Sequence, residues 1–195
     1  LLDPMCGGGT IVVEAAQIAA NHAPGLSRSF GFQKLAWYDG PTWQRIRQVA
    51  RDRVLEAPAG HVSIFASDLS ADAIERTRAN LESAGVASFV QIECADALSR
   101  AAPAPAGVLL SNPPYGVRLD DADRLAAFYP RLGDALKARF AGWCTCVFTG
   151  DLRLPKLIGL RPERRIPLWN GALECRLYTF RIVAGSMRVR AAAEC

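Results

Sequence analysis

Short apolar runs, each breaking off at a polar side chain and separated by helical stretches, set the strongest limit on how this chain can fold. Leu1-Leu2 ends at Asp3, Val62–Ser67 ends at Asp68, and Phe89–Cys94 leads to Asp96-Ala97. A fourth run, Gly107-Val108-Leu109-Leu110, leads into Ser111-Asn112-Pro113-Pro114-Tyr115. Runs of this length and composition read as buried strands. Ile11–Ala20 reads as an apolar helix after the first, and a helix capped by Ser70 and stopped by Gly85 follows the second. Alternation of this kind gives a parallel sheet with helices on both faces and ligands at the carboxyl ends of its strands.

The second half continues the pattern and then changes it. Asp121 begins a helical stretch with Leu125, Phe128, Tyr129, Leu132 and Leu136 on one face, and Pro130 is expected to kink or divide it. Trp143–Thr149 reads as a strand and Asp151–Ile158 as a short helical link. Arg164–Trp169 and Leu173–Val183 flank Asn170-Gly171, a strong hairpin signal. The expected fold is therefore α/β: a doubly wound, mostly parallel seven-stranded sheet with an antiparallel C-terminal hairpin. Its first strand is truncated, because the chain opens at Leu1 without Met; a fragment of a longer protein is expected.

The Asn112-Pro113-Pro114-Tyr115 loop suits a flat aromatic amine. An exocyclic amino group has two hydrogens to donate and a lone pair delocalised into the ring. The Asn112 side-chain oxygen and the Pro113 carbonyl can each accept one hydrogen bond, which orients the nitrogen and makes its lone pair more available. Tyr115 can stack on the ring. A proline-rich turn with a packed tyrosine explains the same residues about equally well. The glycines of Asp3-Pro4-Met5-Cys6-Gly7-Gly8-Gly9-Thr10 permit a sharp turn and close approach to a ligand, but they do not make a dinucleotide fingerprint, since Val12 stands where its last glycine belongs. Asp68 is suited to a ribose diol or merely to a helix N-terminus; Asp96 is suited to an adenine amino group or merely to a turn.

Composition narrows the classes. The chain has 195 residues, 50% hydrophobic and 22% charged, enough for one domain with a sizeable core. No run of 18 apolar residues or signal peptide is visible, and the net charge of +4 permits a nucleic-acid partner without requiring one. Six dispersed cysteines and two histidines without a ligand-spaced partner argue against zinc and for free thiols in a reducing, cytoplasmic setting. Residues 21–60 form an insertion rich in Gly, Pro and aromatics. Within it a helix from about Thr42 to Glu56 carries Trp43, Ile46, Ala50 and Val54 on one side. Arg45, Arg51 and Arg53 lie elsewhere, as a solvated basic face or as phosphate contacts.

In that order these elements resemble the class I S-adenosylmethionine-dependent methyltransferases, in the branch that methylates amino groups. Asp3–Thr10, Ala23-Pro24-Gly25-Leu26, Ser111–Leu119 and Asn170–Tyr178 together resemble the bacterial THUMP-containing RNA methyltransferases, which include the enzymes making N2-methylguanine in large-subunit ribosomal RNA. The resemblance implies S-adenosylmethionine as cofactor and RNA as partner. Asp3 and the Gly7–Gly9 turn would hold the methionine part, Asp68 the ribose, and Asp96 with Ala97 the adenine. Pro4, Cys6, Thr10 and Leu69 complete the cofactor set, and Asn112 belongs to it as well as to the catalytic Asn112, Pro113, Pro114 and Tyr115. Residues 1–183 would be the methyltransferase domain and 184–195 a frayed tail, with an RNA-binding domain expected upstream. Adenine-N6 methylation of DNA or RNA, methylation of a protein glutamine, and RNA or nucleotide binding without turnover are the rival readings.

Overall fold

A computed structural model describes residues 1–56, 63–113 and 119–183. Strands β1 (Leu2–Asp3), β2 (Ile64–Asp68), β3 (Val90–Cys94), β4 (Val108–Ser111), β5 (Cys144–Thr149), β6 (Arg164–Asn170) and β7 (Leu173–Arg181) form one sheet in the order β3-β2-β1-β4-β5-β7-β6. The first five run parallel; β7 lies antiparallel to β5 and to β6. Short as it is, β1 is central: Leu2 is fully buried and pairs with Phe65 on one side and Leu109 on the other. Chain order reverses between β1 and β4. A crevice is expected at that reversal, outside the strand ends.

Two apolar layers cover the sheet. Helices α1 (Thr10–Ala19) and α3 (Ala71–Ser83) place Val12, Ala16, Ile74 and Leu81 against Ile64, Ala66 and Val90. Helix α4 (Leu119–Arg139) packs Leu125, Tyr129, Leu132 and Leu136 with Leu109, Trp143, Val147 and Phe180 in a second cluster. Alternation along the strands divides the two. Ile64 and Ala66 belong to the first cluster, whereas Phe65 packs against the second.

Three expectations need correcting. Helix α4 runs unbroken through Pro130. That proline sits on the exposed side, and the buried stripe at 125, 129, 132 and 136 holds the helix on the sheet despite the missing amide donor. Three residues on, Gly133 admits helix α5 (Leu154–Leu157): a Cβ there would lie 1.9 Å from the Ile158 carbonyl oxygen. In the insertion, helix α2 spans Gly40–Arg51 rather than Thr42–Glu56, capped by Asp39, whose carboxylate accepts from the Thr42 amide. Its apolar side is only partly covered. Trp43 meets Phe32 edge-on at 5.0 Å, while Ile46 and Val54 stay exposed, as do Arg45, Arg51 and Arg53. The hairpin forms as read, with Asn170 paired to Leu173, but β7 stops at Arg181. Pro114, Tyr115, residues 57–60 of the insertion and the tail from 184 lie outside the described residues. Among those described, no helix is long and apolar enough to cross a membrane.

Candidate active site

A cavity of about 670 Å³ opens where the chain order reverses. Pro4, Met5 and Gly7 line it from the turn after β1, Asp68 and Leu69 from the end of β2, and Asp96 and Ala97 from the segment after β3. Asn112, just past β4, and Leu125 and Phe128 of α4 close the other side. Its size and its apolar walls with a few converging polar groups are those of a small-molecule site.

Glycine chemistry shapes the turn beneath it. Gly9 has a left-handed φ of 80°, and a Cβ at that position would come within 2.8 Å of Thr77 Cγ2, so no other residue fits without displacement. Helix α3 pins the same turn from the side. The Thr77 hydroxyl donates to the Gly7 carbonyl at 3.0 Å, and the Asn80 amide donates to the Gly8 carbonyl at 2.8 Å. Asp68 completes the attachment: one carboxylate oxygen accepts from the Gly7 amide and the other from the Ser70 amide, each at 2.9 Å. Each of those oxygens keeps a second lone pair for a ligand. Asp96 accepts from the Leu98 amide in a tight turn, which holds its carboxylate at the cavity wall.

Asp3 lies under the site with 1% of its surface exposed. It accepts from the Ser111 hydroxyl at 2.8 Å and from the Met5 amide at 3.2 Å. Burial pushes its carboxyl up to about 6; these two hydrogen bonds oppose the shift, and the Asp68 charge adds slightly to it. An ionised Asp3 is therefore costly unless a cation arrives. Cys6 turns away, its sulfur 3.5 Å from the Thr77 hydroxyl, and burial pushes the thiol up to about 11. It is a packed thiol and not a nucleophile.

A family model for the UPF0020 group, described as RMKL-like, methyltransferase domain, matches residues 1–179. The chain belongs to this family. Among curated proteins, the "Ribosomal RNA large subunit methyltransferase K/L" of Shewanella baltica is 38% identical over 190 residues, which is 96% of this chain and 27% of that protein. The chain thus spans about a quarter of the length of the curated relatives it matches. Of solved structures, one described as a "possible methylase" from Clostridium difficile 630 has a TM-score of 0.86 at 30% identity, covering 96% of this chain and 49% of that one. The protein SMU.472, solved in complex with SAH, has a TM-score of 0.84 at 30% identity over 97% of this chain and 48% of that one.

Of the residues assigned from the sequence of this RMKL-like domain, Pro4, Gly7, Asp68, Leu69, Asp96, Ala97 and Asn112 line one cavity. Asp3 and Pro113 are buried beside it, and Cys6 and Gly9 support the turn from behind. Thr10 is exposed at the start of α1 and does not line the cavity. Sequence reading missed the inward face of α3: Ala73 and Arg76 line the cavity, while Thr77 and Asn80 hold the glycine turn. Their i, i+3, i+4, i+7 spacing was visible in the sequence, but what that side of α3 meets was not. Ser111 was also overlooked as the partner of Asp3. It is separated from Asp3 by 108 positions, and only strand pairing brings them together.

Proposed function

We propose that this domain binds S-adenosylmethionine and methylates an exocyclic amino group of a base in RNA, with guanine N2 of large-subunit ribosomal RNA as the target. The observation that carries the reading is the convergence of Asp68, Asp96 and Asn112 on one cavity at the strand-order reversal, in a chain of this family. The relative named for large-subunit ribosomal RNA and the neighbour solved with SAH support the substrate and the cofactor. The residues present fit such a molecule. Asp68 and Asp96 offer carboxylates to a ribose and to an adenine amino group, Leu69 and Ala97 offer apolar contact to the ring, and buried Asp3 suits an ammonium or sulfonium charge.

When bound, the cofactor supplies an electrophilic methyl group on sulfur. The protein's own work is positioning and polarisation. Asn112 lies at the cavity edge with its side chain exposed, where its oxygen accepts one amine hydrogen and the Pro113 carbonyl accepts the other. That pair turns the nitrogen lone pair toward the cofactor. Tyr115, which lies outside the described residues, keeps the stacking role read from the sequence. A strong general base is unnecessary, because the methylated amine becomes acidic and loses its proton to water.

The relatives' greater length is consistent with a larger enzyme, and an RNA-binding domain ahead of residue 1 would capture the substrate. The test is to incubate the full-length protein with labelled S-adenosylmethionine and unmodified ribosomal RNA, then to identify the product by nucleoside mass spectrometry. N2-methylguanosine is expected. Asn112→Ala should lower turnover about 10²–10³-fold with cofactor affinity nearly intact. N6-methyladenosine as the product, or full turnover in Asn112→Ala, overturns the reading.

A further inference from the structure

On the β7–β6 side of the sheet, away from the strand-order reversal, a second cavity of about 590 Å³ is lined by Lys137, Lys156, Arg161, Arg165 and Arg181, with no acidic residue in its wall. Five segments supply these cations, one each. Lys137 lies in the last turn of α4, Lys156 on α5, and Arg161 on the link to β6; Arg165 and Arg181 belong to the paired strands β6 and β7. Pairing places Arg181 opposite Cys144, the first residue of β5, and Arg165 opposite Tyr178, the partner of Val147, so the cleft runs along the outer strands from the start of β5 toward its fourth residue. In the strand order β7 and β6 lie two and three strands from β4, roughly 10–15 Å across the sheet at about 4.8 Å per strand.

Two of the five charges are balanced. Lys137 pairs with Asp134 at 3.2 Å, and Arg181 pairs with Glu163 at 3.0 Å. Lys156, Arg161 and Arg165 have no ion pair among the described residues, and all three are exposed. Three unbalanced cations share one concave wall. Cations that merely solvate a surface are spread over it and interspersed with acids; a set gathered into a cleft focuses field on a polyanion. A cleft of this kind has no flat aromatic platform and no base-reading amides among its lining, so it fits a phosphate backbone and not a base.

We infer that this cleft is a second contact surface for the RNA substrate, gripping backbone phosphates to the β7–β6 side of the methylated base. The inference rests on the RNA reading above and adds to it. An RNA that reaches both places is held in one register by the fold itself, independent of any other domain. Short RNA that fills only the candidate site does not use the cleft.

The experiment compares the full-length protein with its Lys156→Gln/Arg161→Gln/Arg165→Gln variant, binding an unmodified large-subunit ribosomal RNA transcript across a salt series. Loss of three phosphate contacts should reduce the slope of log Kobs against log [salt] by about 2–3. The KM for long RNA should rise several-fold, with kcat, cofactor affinity and the KM for a short oligonucleotide unchanged. Arg161→Lys/Arg165→Lys, which keeps the charge, should retain the wild-type slope. An unchanged slope and KM in the triple Gln variant, beside normal methylation by the wild type, overturns the inference. A changed slope in a protein that methylates no RNA supports the cleft and removes the RNA-methylation reading instead.

Discussion

Replacing Asp3 by Asn should stabilise the ligand-free domain and cripple it as a cofactor site, both for the same reason. The Asp3 carboxyl, 1% exposed, titrates at about 6 in the fold against 3.8 when solvated. Keeping it ionised at neutral pH therefore costs roughly 3 kcal/mol as an upper figure. The sign follows from proton binding: with the folded value raised, the native state holds more protons between the two values, and stability falls as pH climbs through that window. Asparagine keeps an oxygen to accept from Ser111 and Met5, so the hydrogen bonds survive while the charge cost disappears. At pH 7.5 the gain should be about 2–3 kcal/mol, or about 4–10 °C in Tm for a chain of this size. At pH 4 it should shrink to below about 1 kcal/mol, because Asp3 is then already neutral in the fold. Calorimetry at both pH values supplies the comparison, and titration with S-adenosylmethionine should show affinity in Asp3→Asn reduced at least tenfold. Equal stability changes at pH 4 and pH 7.5 would refute the argument, since a burial cost must vanish when the charge does.

Other outcomes follow from the same geometry. Wild-type cofactor affinity should rise from pH 5 to pH 7, with less than one proton released per cofactor bound near pH 6, and this dependence should be absent in Asp3→Asn. Asp68→Ala should weaken cofactor binding by about 1.5–3 kcal/mol, the range for hydrogen bonds to a charged group; unchanged affinity in calorimetry would remove Asp68 from the site. Gly9→Ala, forced into a left-handed φ and against Thr77 at 2.8 Å, should cost at least about 1–2 kcal/mol in denaturant melts. Adding Thr77→Ala should recover part of that loss; strict additivity of the two would mean that Thr77 is not the obstacle.

Most of the framework was legible because hydrophobic period and turn chemistry agree along the chain. Ser70 does cap α3, with its hydroxyl accepting from the Ala73 amide, and Asn170-Gly171 does mark the hairpin. Pro130 misled because local propensity opposes helix there, whereas a buried stripe from Leu125 to Leu136 prevails over one lost amide bond. In the insertion, the apolar spacing at Trp43, Ile46, Ala50 and Val54 suggested a packed face, yet the helix ends at Arg51 and leaves Ile46 half exposed. Periodicity records which residues share a side; it does not say that anything covers that side. At the site, residues at strand ends could be read because topology alone brings such ends together. The partnership of Asp3 with Ser111 and the grip of Thr77 and Asn80 on the glycine turn depend on contacts across the fold, which no local pattern encodes.

The hydrogen bond from Ser111 to Asp3 joins the two halves of the crevice through a single buried oxygen. Ser111 precedes Asn112 in the chain, so the charge state of Asp3 is felt one peptide unit from the amide that would hold the base. A cationic ligand that draws Asp3 into its ionised form strengthens this bond and fixes the end of β4, because charge-assisted hydrogen bonds are the stronger kind. Linkage is reciprocal: a base that immobilises Asn112 must then favour the same ionised state and tighten the hold on the cation. Two ligands bound in this way would be coupled through one hydroxyl proton.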